Sequence, residues 1–195
     1  MGIDVRRHKN IVVGIRTGTE SYKILRVARL ESFDEALQMG ERFNVRSCVV
    51  DIRPYEDSAR EFQRKAKFKV WLCEYSESTP VGTQYNENTG IVKVNRTEIL
   101  DATHRLVSSE RMLELPSVCP ELKQFALECA ATAKVQEVNK RTRTVIFRYR
   151  KLGTNPDDYR HALNYFYLAT NHLAIVRDGG RHSRPKQAIS NYGKL

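Results

Sequence analysis

The sequence predicts a layered α/β domain, and three observations support that prediction. Strand-like apolar segments alternate with helical patterns through the middle of the chain. The segment VRSCVVDI has an unbroken apolar centre, which is typical of a strand covered on both faces. The chain has 195 residues, of which 41% are hydrophobic, and this suffices for one domain with a substantial core. We expect that domain over residues 1–176, followed by a basic, flexible tail over residues 177–195.

The first half of the chain predicts a three-stranded meander followed by alternating helices and strands. Ser32 and Glu35 form a capping box, and the apolar residues after them recur with helical spacing. Pro54 fixes a loop between the strand that ends on Asp51 and the next helix. In chain order the predicted elements are the strands GIDV, NIVVGIRTG and ESYKILRVAR, a helix from Ser32, the strand VRSCVVDI, the helix EDSAREFQRKA and the strand FKVWLCEYS.

The second half predicts a hairpin over residues 80–95, three helices and a further pair of strands around Lys140. The helix CPELKQFALECAA is amphipathic, and its spacing assigns Leu122, Phe125, Ala126 and Cys129 to the buried stripe. The last helix falls within NPDDYRHALNYFYLATNHLAIV. Capping preferences place Asn155 at its N-cap and Pro156 at its first helical position.

The charge balance favours a polyanionic partner such as nucleic acid. The chain has 33 Lys and Arg residues against 23 Asp and Glu, a net charge of +10. In NKRTRTVIFRYRKL, basic and apolar residues partly alternate, which predicts a strand with one face in the core and one toward phosphates. An edge strand protected by charge would have the same pattern.

Other features of the sequence exclude whole classes of protein. The four cysteines show no C-x-x-C motif and no zinc-finger spacing, so we expect reduced, mostly buried thiols. No apolar run approaches the ~20 residues needed to span a bilayer, and we expect a soluble cytosolic protein.

Three acids occupy positions at which a metal site could form. Asp4 and Asp51 end predicted strands, and Asp158 lies in the first turn of the last helix. In a layered α/β domain, the ends of adjacent central strands and the start of a helix packed over them can meet at one edge. Carboxylates are the ligands that Mg²⁺ and Mn²⁺ prefer. Each acid also has a structural explanation, because Asp4 could close a turn, Asp51 could shape the following loop, and Asp157 and Asp158 suit a helix N-terminus.

The motifs GIDV, CVVDI and DDYRHALNYF, in this order, resemble the nuclease domain of the large terminase subunit of tailed bacteriophages, a member of the ribonuclease H-like superfamily. The resemblance covers most of residues 2–176. It implies a ribonuclease H-like mixed central β-sheet flanked by α-helices, with an inserted β-hairpin. It also implies an endonuclease that cuts concatemeric double-stranded phage DNA with little sequence preference, by two-metal-ion hydrolysis.

The resemblance assigns roles to individual residues. Asp4 corresponds to the acid shared by two Mg²⁺ or Mn²⁺ ions, while Asp51 and Asp158 each complete the shell of one ion, with Asp157 as the alternative third ligand. His161 would support these ligands, although a satisfied surface histidine fits the pattern equally well. The basic residues that we expect to contact DNA are Arg6, Arg7, Lys140, Arg141, Arg143, Arg148 and Arg150.

The family also implies partners, namely the terminase ATPase domain, the portal protein and the small terminase subunit, met at the capsid portal in the cytoplasm of an infected bacterium. The chain departs from the family pattern at Arg6, where many relatives have a small residue two positions after the first acid. It also has no G-x-x-x-x-G-K-[ST] motif, so we expect an excised, monomeric nuclease domain without the motor. Two alternatives stay open: a Holliday junction resolvase or transposase-type nuclease of the same superfamily, and a non-catalytic basic DNA-binding module.

Overall fold

A mixed eight-stranded sheet lies between two layers of helices in the computed structural model, which describes residues 1–77, 82–138 and 143–177. The strand order across the sheet is β6-β7-β5-β4-β1-β2-β3-β8. The strands of this sheet are β1 (Gly2–Val5), β2 (Lys9–Arg16), β3 (Tyr22–Leu30), β4 (Ser47–Asp51), β5 (Lys69–Ser76), β6 (Thr83–Asn86), β7 (Ile91–Asn95) and β8 (Leu113–Glu114).

The strand directions bring several carboxyl ends to one edge of the sheet. Strands β1, β2 and β3 form the predicted antiparallel meander, whereas β4 runs parallel to β1, β5 to β4 and β7 to β5. Ile3 lies opposite Val50, so the next residues along, Asp4 and Asp51, lie side by side where the two strands end. The meander and the strand that ends on Asp51 are therefore confirmed.

Five helices cover the two faces of the sheet. They are α1 (Phe33–Arg42), α2 (Glu56–Lys65), α3 (Arg96–Ser108), α4 (Pro120–Ala130) and α5 (Asp158–Arg177). The hydroxyl of Ser32 accepts a hydrogen bond from the backbone N–H of Glu35, which confirms the predicted cap of α1. Helices α1 and α2 share one core with the sheet, and α3, α4 and α5 lie on the other face.

Helix α5 crosses β1 at very short range, and Gly2 makes this possible. A Cβ atom at Gly2 would lie 2.1 Å from the backbone nitrogen of Phe166 and 2.2 Å from the carbonyl oxygen of Ala162. Only a residue without a side chain fits between backbones at that separation. The close crossing holds the N-terminal turn of α5 over the end of β1, where Asp4 lies.

A second, two-stranded sheet joins α4 to α5, and its position corrects the prediction for the inserted hairpin. The predicted hairpin over residues 80–95 is present as β6 and β7, but β7 pairs with β5, so it extends the central sheet. The separate hairpin consists of β9 (Thr132–Val138) and β10 (Val145–Lys151). Within β10 only Tyr149 is fully buried, so the strand lacks the continuous core face that its alternating sequence predicted.

Two smaller predictions are wrong, and one short strand has no counterpart in the prediction. In α4, Ala126 is exposed and Glu128 is buried in its place, because the buried stripe follows a slightly different phase of the helix. Helix α5 begins at Asp158, so the residue before it is Asp157, and the predicted cap at Asn155 lies outside the helix. The two-residue strand β8 was not predicted.

The remaining predictions concern the cysteines, the tail and membrane spans. Cys48, Cys73 and Cys129 are buried, and all four cysteines are free thiols, as expected. Arg177 ends α5, and the rest of the predicted tail lies outside the described residues. In the part of the chain that the structure describes, no helix has the length and apolar character needed to cross a membrane.

Candidate active site

Asp4 is the most deeply buried acid at the carboxyl-terminal edge of the sheet. Its side chain is 1% exposed, and within the described ranges neither carboxylate oxygen has a hydrogen-bond partner. Burial raises the pKa of Asp4 well above its usual range, and the nearby charges of Asp51 and Asp158 raise it further. The charge of Arg6 opposes this shift, but burial and the neighbouring acids outweigh it.

Asp51 lies beside Asp4, and its Oδ1 accepts a hydrogen bond from the following loop. The backbone N–H of Arg53 donates to its Oδ1 at 3.1 Å, so this acid does shape the loop after β4. Burial raises the pKa of Asp51, while the hydrogen bond from Arg53 and the charges of His161 and Arg6 oppose that shift. The structural role that the sequence suggested therefore coexists with a place in the acidic cluster.

The guanidinium of Arg6 lies between two of the predicted acids. Its Nε lies 3.9 Å from Oδ2 of Asp4 and 3.8 Å from Oδ1 of Asp158. The arginine side chain is 54% exposed, whereas that of Asp158 is 22% exposed. The structure thus brings Asp4, Asp51 and Asp158 together, with a solvent-facing guanidinium between two of them.

Asp157 takes a different partner from Asp158. Its Oδ2 lies 3.4 Å from Nε2 of His161, and this contact lowers the pKa of Asp157. His161 is 6% exposed, which excludes a surface histidine, and its Nδ1 lies 3.4 Å from the hydroxyl of Tyr75. Asp157 also raises the pKa of Asp4 less than Asp158 does. The geometry favours Asp158 as the third acid of the cluster and Asp157 as its neighbour.

The ring of Tyr75 belongs to a buried polar chain beneath this helix. The hydroxyl of Tyr75 accepts from Nδ2 of Asn164 at 3.0 Å, and the hydroxyl of Thr103 donates to Oδ1 of Asn164 at 2.6 Å. Tyr75 also stacks on Tyr165, with ring centroids 5.4 Å apart. These contacts fix the face of α5 that carries His161, and no sequence motif predicts them.

The donor set fits a hard divalent cation. Asp4, Asp51 and Asp158 supply carboxylate oxygens, which Mg²⁺ and Mn²⁺ prefer, and the two unpartnered oxygens of Asp4 would gain ligands. Among the described residues no group of three or more His, Cys, Asp or Glu side chains is already spaced as a metal site. The guanidinium of Arg6 lies between Asp4 and Asp158, so a cation bound by both acids would displace it.

The predicted DNA-contacting residues fall into two groups. Arg6 and Arg7 are exposed beside the acids. On the β9–β10 hairpin, Arg143 and Arg150 are exposed and Arg148 is half-buried. Arg150 makes a two-pronged ion pair with Glu137, with Nε to Oε1 at 2.5 Å and Nη2 to Oε2 at 2.9 Å. Lys140 and Arg141 lie outside the described residues.

A cavity of about 700 Å³ lies at the opposite end of the sheet from the acids. Its lining includes Gly14, Arg16, Arg46 and Leu173, and none of the predicted site residues contributes to it.

The comparisons with known proteins add no relative to this description. No protein-family model, no curated protein and no solved structure matches the chain at a significant level.

Proposed function

We propose that the chain is a divalent-metal-dependent endodeoxyribonuclease, the ribonuclease H-like nuclease domain of a tailed-phage large terminase subunit. One observation carries the proposal: Asp4 is buried with both oxygens unpartnered among the described residues, beside Asp51 and within ion-pair reach of the arginine that also contacts Asp158. A protein has little reason to bury such a charge unless a cation or a proton compensates it. Buried carboxylates with strongly perturbed pKa values are common at functional sites.

The fold and the overall charge support the proposal. A mixed central sheet with helices on both faces is compatible with a ribonuclease H-like fold. The net charge of +10 suits a polyanionic substrate. Exposed arginines lie beside the acids and on the hairpin, and contacts of this kind to phosphates supply affinity with little sequence preference.

Each side chain of the site would have a separate role in phosphodiester hydrolysis. Asp4, Asp51 and Asp158 would hold two divalent cations, which would supply an activated water and stabilise the departing 3′ oxygen. Asp4, whose two oxygens have no hydrogen-bond partner among the described residues, would be the shared ligand. Arg6 is half in solvent, so once it leaves the acids its guanidinium can contact a phosphate of the DNA backbone. His161 holds Asp157 and keeps the start of α5 in place.

The partners follow from the resemblance alone. We propose double-stranded DNA as the substrate. We also propose the terminase ATPase domain, the portal protein and the small terminase subunit as partners at the capsid portal of an infected bacterium. The isolated domain would act as a monomer.

A plasmid-nicking assay tests the proposal. Supercoiled plasmid is incubated with the protein and Mn²⁺ or Mg²⁺, with and without chelator, and Asp4→Asn, Asp51→Asn and Asp158→Asn are compared with wild type. Each substitution should slow cutting about 1,000-fold or more, because several kcal/mol of transition-state stabilisation depends on the cations. Asp34→Asn is the matched control, since this acid also begins a helix but its side chain is 75% exposed. It should cut like wild type.

Two outcomes would favour the alternatives. Binding to DNA without cutting in any metal would indicate a non-catalytic binding module. Strong preference for four-way junctions over linear duplex would indicate a resolvase. Equal cutting by wild type and Asp4→Asn would contradict the proposed site altogether.

A further inference from the structure

Glu128 is a fully buried acid that the proposed reaction does not use. It lies on α4 with 0% exposure, and its carboxylate accepts three hydrogen bonds. Nε2 of Gln124 donates at 2.9 Å and Nη2 of Arg29 at 3.1 Å, both to Oε1. The backbone N–H of Tyr159 donates to Oε2 at 2.7 Å. Charged acceptors make hydrogen bonds roughly twice as strong as neutral ones.

The bond to Tyr159 caps the helix that carries two of the acids. Tyr159 is the second residue of α5, and the first backbone N–H groups of a helix have no partner within it. Normally the residue before the helix accepts from that position. Here the preceding residue, Asp157, directs its carboxylate to His161, and Glu128 supplies the cap from another helix. A negative charge there also suits the helix dipole.

The bond to Arg29 connects the same carboxylate to the strands. Nε of Arg29 donates to Oδ1 of Asn10 at 2.9 Å, and the guanidinium lies over the ring of Tyr159 at 5.5 Å from its centroid. Asn10 is the cross-strand neighbour of Asp4 in the β1–β2 pair. The polar chain from Asn10 through Arg29 and Glu128 to Tyr159 therefore spans from the strand beside Asp4 to the helix turn that carries Asp158.

We propose that Glu128 is a positioning residue that, with Arg29 and Asn10, sets the separation between Asp4 and the start of α5 and so determines how well the acids bind a divalent cation. This inference rests on the proposed function of the acidic cluster. Glu128 bonds directly to α5, which carries Asp158, and it reaches the cross-strand neighbour of Asp4 through Arg29. Removing such a supporting contact typically weakens metal binding 10- to 100-fold.

Calorimetric Mn²⁺ titration of the full chain tests this inference, with Asp4→Asn defining binding outside the site. Glu128→Gln keeps the shape and one acceptor oxygen but removes the charge, and should weaken Mn²⁺ binding about 10-fold. Arg29→Met keeps an unbranched side chain at this position but removes the guanidinium, and with it the bonds to Asn10 and Glu128. Arg29→Met should weaken Mn²⁺ binding by a smaller factor than Glu128→Gln does. If Glu128→Gln fails to fold, Arg29→Met still tests the inference. Phe62→Leu, which alters the opposite core, is the control and should bind Mn²⁺ like wild type.

Amide hydrogen exchange supplies a readout that does not depend on the metal. In Glu128→Gln the amide of Tyr159 should exchange faster while amides of β4 stay protected. Unchanged Mn²⁺ affinity in Glu128→Gln, with only a loss of stability, would overturn the inference and leave the proposed function standing. If wild type showed no Asp4-dependent Mn²⁺ binding, the proposed metal site would fail first, and the role of Glu128 toward it would fail with it.

Discussion

The two helical layers of the domain bury the sheet with different chemistry. The core under α1 and α2 is apolar, with Ile3, Val50 and Phe62 among its fully buried members. The other layer contains the polar side chains that are buried among the described residues. They belong to the strand face that α5 covers, to α3, α4 and α5, and to β9. They are Asp4, Asn10, Ser47, Thr103, Glu128, Thr132, Arg160, His161, Asn164 and Thr170. The layer under α1 and α2 is an apolar core, whereas the other layer buries polar and charged side chains beside its own apolar clusters.

The comparison shows that the polar layer includes buried groups that cost stability. Arg160 is fully buried and donates to the carbonyl oxygen of Leu100 at 2.9 Å, but its Nε and Nη1 have no partner within the described ranges. Burial lowers the pKa of Arg160 and raises that of Asp4. A buried polar group without a partner costs about 1–3 kcal/mol. The apolar layer must offset these groups for the domain to fold.

The largest expected effect comes from breaking the apolar layer. Phe62→Ala removes a side chain that is 1% exposed and lies 5.0 Å, ring to ring, from Phe33. It should lower the free energy of unfolding by about 3–5 kcal/mol, because a cavity remains where the ring was. Urea denaturation measures the loss. The Mn²⁺ affinity of the folded fraction should stay unchanged, and a parallel fall in that affinity would contradict the separation of roles.

The second-largest effect is expected from Asp4→Asn, which should raise the free energy of unfolding. Between the ordinary carboxyl pKa of about 3.9 and the raised pKa of Asp4, the folded state holds a proton that the unfolded state has released. The free energy of unfolding therefore falls as pH rises through that window, and ionised Asp4 destabilises the metal-free fold above it. Asp4→Asn should stabilise the metal-free protein by about 1–3 kcal/mol at pH 8 and flatten this dependence.

Thermal unfolding at several pH values, with and without Mn²⁺, measures this effect. Mn²⁺ should stabilise wild type and leave Asp4→Asn unchanged. Asp34→Asn serves as the control, since its side chain is mostly in solvent. A lower melting temperature for Asp4→Asn than for wild type at pH 8 without metal would show that the carboxylate stabilises the fold.

The sequence predicts the regular apolar elements better than the polar side chains buried among them, for a physical reason. Buried apolar residues recur with a regular period, which predicts the meander and β4, and a local capping motif predicts the cap at Ser32. The meeting of Asp4 and Asp51 was also predictable, because both end neighbouring parallel strands. Position along a strand determines which edge a residue reaches.

The supporting residues of the site were not predictable in the same way. Glu128 interrupts the apolar stripe of α4, and by period alone Ala126 took its place. A charged residue three positions after buried Phe125 was the available signal, but its partners Arg29 and Tyr159 are 99 and 31 residues away. Arg6 had no local signal for its position between Asp4 and Asp158. Contacts set by tertiary packing leave little trace in sequence spacing.

A smaller effect, on Mn²⁺ binding, is expected from Arg6→Ala. This substitution removes a charge beside the acids and alters neither core. Arg6→Ala should tighten Mn²⁺ binding, because the guanidinium no longer opposes a cation between Asp4 and Asp158. The gain should be less than about 5-fold, since exposed ion pairs contribute at most about 1 kcal/mol. Calorimetric titration measures it, and Arg7→Ala, exposed next in the chain, is the control. Weaker Mn²⁺ binding in Arg6→Ala would instead make the arginine a support for the acids.

The smallest expected effect concerns DNA binding by the β9–β10 hairpin. Arg143 is exposed, whereas Arg150 must leave Glu137 before it can contact a phosphate. Arg143→Ala should therefore reduce the salt dependence of DNA binding by about 0.9 in log K against log salt, the value for one phosphate contact, and Arg150→Ala by less. Fluorescence anisotropy with a duplex at several salt concentrations measures both slopes, with Ca²⁺ replacing Mn²⁺ to prevent cutting. Equal slopes for the two variants would show that the pair with Glu137 opens freely on DNA.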